Sequence, residues 1–177
     1  AQFDKQYLEH LFKYNKVLQQ RNALLKYFQK ERTWNEDNLK VWDESLMQYG
    51  KYIFEKRSNF LEEFKPIFQE RYHSISDSAE SVDIQYVSQL NNLNFNDLLL
   101  SLRDKDKLLA YTNGGIHKDD LLFNLKDYPV KKYGSQGQQK SFLIALKFGQ
   151  FAFLKKSKNY FKCFSSWYYG NGYFFHY

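Results

Sequence analysis

Residues 4–30 contain neither Gly nor Pro and carry Tyr7, Leu11, Tyr14, Leu18 and Leu25 at alternating spacings of four and three. That repeat returns side chains to one side of an α-helix and makes a narrow apolar seam of the kind two packed helices share. Residues 35–69 carry a second seam through Leu39, Trp42, Leu46, Tyr49, Ile53, Phe60, Phe64 and Ile67. Arg21 interrupts the first seam and Lys56 the second. Gly50 is expected to cost the second helix about 1 kcal/mol relative to Ala, and Pro66 to bend or restart its last turn. Residues 32–35 read as the turn between them, with Thr33 and Glu36 at capping-box spacing. Two long helices joined by so short a turn pack as antiparallel neighbours. A helical hairpin over residues 1–75 is the expectation from which the rest of the reading follows.

The pattern changes after a polar segment with Ser74, Ser76, Ser78 and Ser81, where a boundary or crossover is placed. Val82, Ile84 and Tyr86 alternate with polar residues, as do Leu121, Phe123 and Leu125, which is strand periodicity. Residues 96–109 read as a short helix and residues 128–133 as the return strand of a hairpin turned at Lys126-Asp127. Residues 135–155 are helical again. The fold class is therefore α+β: a long antiparallel helical hairpin over 1–75, a mixed unit over 76–156, and an anomalous tail over 157–177. That tail holds ten of the 35 aromatic residues and no acidic one. It is expected to pack poorly or to mediate association.

Composition sets the outer limits. The 177 residues are 43% hydrophobic, enough for a core, and no apolar run approaches the roughly 20 residues of a membrane helix. There is no signal-peptide pattern, and the single Cys163 excludes an internal disulfide and suits a reducing cytoplasm. Residue 1 is Ala rather than Met, as in an excised piece. The net charge of +6 admits anionic partners. Lys131, Lys132, Lys140, Lys147, Lys155 and Lys156 surround the last helix, while Lys5, Lys13, Lys16 and Lys26 spread along the first. Scattered lysines of this kind ordinarily form a solvated surface, though phosphate contacts need only point charges on a suitable face.

The chemistry-bearing candidate is Gly134-Ser135-Gln136-Gly137-Gln138-Gln139-Lys140, a glycine-bracketed turn opening a long helix. Ser135 and Gln138 have capping-box spacing. The first N–H groups of such a helix are unpaired and lie at the positive end of its dipole, and glycine lets a ligand approach the backbone. Such an end is a ready anion site, with phosphate the usual anion; a merely well-capped helix is the structural alternative. His117 with Asp119 and Asp120 is a weak metal candidate, because only one His is involved and the spacing does not suit one helix face. His10 and His73 read as surface or packing residues, and Cys163 has no context for a catalytic thiol.

Three segments together resemble one family. Gly134–Lys140 followed by Ser141-Phe142-Leu143-Ile144-Ala145-Leu146-Lys147 is similar to the RecF family's version of the signature segment of ABC-type ATPases. Residues 111–121, with Gly115-Ile116-His117-Lys118-Asp119-Asp120, resemble its Gly-x-His-Arg/Lys-Asp-Asp segment. Leu18-Gln19-Gln20-Arg21-Asn22 resembles the Arg-Asn-bearing helix of the domain inserted into the ATPase head. The resemblance covers about residues 3–160.

It implies a cytoplasmic, ATP-dependent DNA-binding protein of replication, recombinational repair and the SOS response. Such proteins dimerise around ATP and magnesium and work with RecO and RecR on single-stranded or gapped DNA. In that frame Ser135, Gln136, Gly137 and Gln138 form the signature that meets ATP held by the other subunit, with Ser135 and Gly137 at the γ-phosphate. The resemblance leaves 1–75 as the helical insertion and 76–156 as the signature-bearing part of the head. No P-loop is present in these residues, and the family's Asp-ending strand is replaced after Lys155 by a stretch without Asp or Glu, as a frame shift or gene fragment would leave it. The chain alone is therefore expected not to hydrolyse ATP. A non-enzymatic helical interaction module is the alternative.

Overall fold

A computed structural model describes residues 4–76 and 80–156. The expected tail over 157–177, with Cys163, lies outside the described residues. The elements run α1 (Lys5–Lys30), α2 (Glu36–Ile75), β1 (Val82–Val87), α3 (Phe95–Ser101), α4 (Arg103–Leu109), β2 (Asp120–Leu125), β3 (Tyr128–Pro129), α5 (Val130–Tyr133) and α6 (Gln136–Lys156). The fold is α+β. The described residues divide into two compact units, one built from residues 6–56 and 87–120, the other from 4–5, 57–76, 80–86 and 121–156.

In the first unit α1 and the N-terminal half of α2 form the antiparallel hairpin. The His10 ring stacks on Tyr52 at 4.1 Å, Arg21 meets Asp43, and Phe28 lies 5.3 Å from Trp34. Tyr7, Tyr14 and Leu25 are buried along one side of α1, with Leu11 and Leu18 half-buried between them. Leu39, Leu46 and Ile53 answer them from α2.

The seam of α2 differs from the apolar reading in an informative way. Between residues 36 and 57 its buried positions are Leu39, Asp43, Leu46, Gly50, Ile53 and Arg57, which keep the four-three spacing. Three of them carry a charge or no side chain, so an apolar count passes over them. Trp42 and Tyr49 flank the seam half-buried. Arg21, likewise, does not interrupt the seam of α1: it is fully buried within it. Gly50 is there for proximity, since a Cβ at that position would lie 2.4 Å from the Phe95 ring and 3.1 Å from Tyr14.

Local signals also differ from expectation. The cap of α2 is Asn35, whose Oδ1 accepts from the Asn38 N–H at 3.1 Å; Thr33 does not serve, because α2 begins at Glu36 and leaves it two residues outside the cap position, and the Glu36 side chain pairs with Arg103. α2 runs through Pro66 to Ile75 rather than ending near 69. The helix expected over 96–109 breaks at Leu102, giving α3 and α4. α3 is capped by the Asn94 side chain, and α4 ends at a left-handed Ala110.

In the second unit the C-terminal half of α2 packs against α6. Phe60 meets Phe153 at 5.1 Å and Phe68 meets Phe142 at 4.8 Å. Val82 and Ile84 of β1 and Leu125 of β2 complete the core. The three strands stand in the order β1-β2-β3. The β2–β3 pair is antiparallel, with Asn124 opposite Pro129 and Leu125 opposite Tyr128. The expected return strand lasts only two residues. Pro129 has no N–H to extend the ladder, and Val130–Tyr133 turn helical to bring the chain to α6. On the outer side of α6, Ile144, Phe148 and Phe151 are 44–67% exposed.

Gly50→Ala tests the close approach. Better helix propensity would favour Ala by about 1 kcal/mol, while overpacking against Phe95 costs about 1–3 kcal/mol. A lower urea midpoint is expected, partly recovered in the Gly50→Ala/Phe95→Leu double variant.

Candidate functional site

The turn before α6 forms as a reciprocal cap. The Ser135 Oγ accepts from the Gln138 N–H at 3.2 Å, and the Gln138 Oε1 accepts from the Ser135 N–H at 2.7 Å. Ser135, Gln136 and Gly137 are exposed and Gln138 is half-buried. A Cβ at Gly137 would meet nothing nearer than the Ser135 Oγ at 3.9 Å. No internal packing therefore demands glycine there, and the backbone is open to approach. Because the Ser135 oxygen accepts from within the cap, its own O–H is available to donate outward. The arrangement can receive an anion.

Gln138 has a second engagement that the sequence pattern did not reveal. Its Nε2 donates to both carboxylate oxygens of Glu80, at 3.1 and 2.9 Å. The Lys126 ammonium lies 3.3 Å from the same carboxylate. Glu80 is 58 residues from Gln138 in the chain, so no local spacing pointed to it.

A second constellation lies inside the first unit. The Arg21 guanidinium donates to Asp43 and Asp106, each at 2.6 Å, and to the Thr112 hydroxyl at 2.8 Å. Arg103 shares Asp43 at 2.9 Å. The Asn22 Oδ1 accepts from both the N–H and the hydroxyl of Thr112, at 2.8 and 2.7 Å. The Asp106 carboxylate accepts from the backbone and side chain of Asn113. The Arg-Asn pair on α1 thus grips the segment that carries Gly114, Gly115 and His117.

His117 is held on both sides. Its Nε2 faces the Thr112 carbonyl at 3.1 Å, and its Nδ1 faces the Tyr14 hydroxyl at 2.9 Å. A carbonyl only accepts, so Nε2 carries the proton and Nδ1 accepts from Tyr14. Burial pushes the imidazole below its ordinary value of 6.5, against a backbone hydrogen bond to Thr112 that acts in the other direction. Both ring nitrogens are engaged within the protein, and Asp119 is buried while Asp120 is exposed. Among the described residues no group of three or more His, Cys, Asp or Glu is placed to hold a metal. His10 stacks on tyrosine and His73 caps back to the Gln69 carbonyl. Lys131, Lys132, Lys140, Lys147 and Lys155 are exposed, as are Lys5, Lys13, Lys16 and Lys26. Among the described residues no helix is long and apolar enough to cross a membrane.

An α+β chain of this architecture superposes on a solved structure of "the recombination mediator protein RecF-ATP in RecFOR pathway" with a TM-score of 0.78. That match is 31% identical and covers 86% of this chain and 43% of the other. The corresponding RecF-ATPrS structure gives a TM-score of 0.79 at 30% identity, covering 89% and 44%. The DNA replication and repair protein RecF of Flavobacterium johnsoniae is 53% identical over 156 residues, which are 88% of this chain and 44% of the relative. The RecF of Bacteroides thetaiotaomicron is 46% identical over 157 residues, 89% and 42%. No protein-family model matches the chain. The chain belongs to the RecF family, and it spans less than half the length of the relatives it matches.

Two outcomes test the buried constellation. Arg21→Leu leaves Asp43 and Asp106 without their shared cation and should cost about 3–5 kcal/mol. Arg21→Lys should recover little of it, because an ammonium lacks the planar fork that reaches all three partners; urea unfolding measures both. For His117 the folded value lies below the unfolded one, so the unfolded chain binds the proton first. Its contribution to stability should be intact above about pH 6.5 and decline as the pH falls through the folded value. The decline should be absent in His117→Gln, in unfolding midpoints followed from pH 8 to pH 5.

Proposed function

We propose that this chain is part of a RecF-like ATP-dependent DNA-binding protein for replication and recombinational repair, in which Ser135, Gln136, Gly137 and Gln138 form a signature acting in trans. The observation that carries the reading is the open, doubly capped start of α6, in a chain whose solved relatives are RecF with ATP and with ATPrS. An exposed helix start with its N–H groups and a serine O–H facing outward suits the terminal phosphate of a nucleotide held by a second copy. ATP, with magnesium, supplies the charge that draws two copies together when bound. With the nucleotide bound, the Ser135 hydroxyl would donate a hydrogen bond to a phosphate oxygen, Gly137 would admit the phosphate to the backbone, and Gln138 would hold the cap.

DNA, single-stranded or gapped, is the expected nucleic-acid partner, and RecO and RecR the expected protein partners in a cytoplasmic setting. The exposed lysines of both units suit phosphate contacts. The division into a helical insertion over 1–75 and a signature-bearing part over 76–156 belongs to the same proposal. In it the chain by itself does not turn over ATP, because the phosphate-cradling lysine loop is not in these residues.

Ser135→Arg in a full-length protein carrying this segment should leave ATP binding within about twofold while abolishing ATP-driven dimerisation, followed by sedimentation. A mere cap would instead lose about 1 kcal/mol of stability with dimerisation intact. Ser135→Gly separates the two further: Gly is a tolerable cap, so melting should barely change while dimerisation weakens. ATP-driven dimerisation surviving in Ser135→Arg would sink the signature assignment.

A further inference from the structure

A primary carboxamide is two-faced: one side only donates and the other only accepts. Gln138 uses both. Its oxygen takes the Ser135 N–H, and its nitrogen is pinned by both oxygens of Glu80. Rotating the amide by half a turn would set an N–H against the Ser135 N–H and an oxygen against a carboxylate. Each contact would then be repulsive. The carboxylate is charged, and charge-assisted contacts are the stronger class, so Glu80 selects which face of Gln138 looks at Ser135. Glu80 is in turn held by Lys126, in the turn between β2 and β3. The backbone of Lys126 is anchored as well, its N–H donating to the Ser81 carbonyl at 2.7 Å. A line of contacts therefore runs from the β2–β3 turn through Lys126, Glu80 and Gln138 to Ser135.

We infer that Glu80 is a positioning residue for the signature: it never touches the nucleotide, but sets the orientation of Ser135 through Gln138, with Lys126 holding it in place. This rests on the reading of Ser135–Gln138 given above and deepens it. With the amide fixed, the Ser135 backbone is held at the helix start and its hydroxyl oxygen stays engaged by the Gln138 N–H, which leaves the hydroxyl proton to be donated away from the cap. With Glu80 removed, the amide samples both faces. The cap then opens part of the time, and the outward donor is correctly placed for only a fraction of encounters.

The test uses a full-length RecF-family protein carrying this segment, with Glu80→Ala, Glu80→Gln and Lys126→Ala beside Ser135→Arg. Glu80→Ala should leave the affinity for a fluorescent ATP analogue within about twofold. It should lower the turnover number by roughly tenfold with KM for ATP nearly unchanged, the size expected for one hydrogen bond to a charged group. Glu80→Gln keeps an acceptor for the Gln138 N–H and should restore at least half of the turnover, which a residue serving only stability would not do at equal melting temperature. Lys126→Ala removes a 60% exposed side chain, should fold normally, and should show a smaller loss of the same kind. Wild-type turnover in both Glu80→Ala and Lys126→Ala, with Ser135→Arg inactive, would overturn the positioning role and leave the signature standing. An active Ser135→Arg would instead remove the signature reading itself. A loss of turnover that Glu80→Gln does not recover, matched by a fall in melting temperature, would also overturn the positioning role.

Discussion

Arg21 sets a guanidinium at a place that water does not reach. A lone guanidinium there would be prohibitively unfavourable, and two carboxylates without it nearly as bad. The interior becomes tolerable only when α1 delivers the arginine, α2 delivers Asp43, α4 delivers Asp106, and the segment after α4 delivers Thr112. Arg103 balances the second negative charge. These groups come from residues 21 to 112 of the chain, and every partner of Arg21 lies more than 20 residues away from it. The network therefore specifies one docking of the helices: a hairpin slipped by one turn would keep its apolar contacts but strand its charges. Apolar seams alone would permit such a slip, since Leu and Tyr positions recur with the same spacing.

That distinction explains what was legible beforehand. The hairpin, its antiparallel sense, β1, β2 and the helix after Ser135 were readable because each has a period in one stretch of chain. Asp43 and Gly50 were not, because a charge and a missing side chain look like surface or defect until the partner is known. Arg21 and Asp43 are one feature seen twice, once in each helix; the break read at Lys56 pointed to neither. Asp106 and Thr112 offered no signal, being distant in sequence and ordinary in composition. Asn35 rather than Thr33 is the cap because α2 begins at Glu36, and the Glu36 side chain pairs with Arg103, a contact that a capping-box rule does not weigh.

At the other end of the chain the local rule was sufficient. Ser135 and Gln138 close their box as spacing alone required, since all of its bonds lie within four residues. What escaped was the outer half of Gln138. A pattern that describes a turn has no place for a carboxylate arriving from a different strand connection. His117 is the converse case: it reads as a possible ligand in sequence, yet Tyr14 and Thr112 occupy both of its nitrogens, and its role is to fasten a segment to α1.

Glutamine and glutamate are ordinarily interchangeable at the third position of a capping box, because the box asks only for an oxygen. Their codons differ at a single base, so the genetic code offers the exchange continually. Here the far side of Gln138 rests against Glu80, and a glutamate would put two carboxylates face to face. The amide has become obligatory for a reason that the helix start does not contain. A position that any catalogue of caps would score as freely exchangeable is, in this protein, closed to one of its two usual occupants by a residue 58 places away.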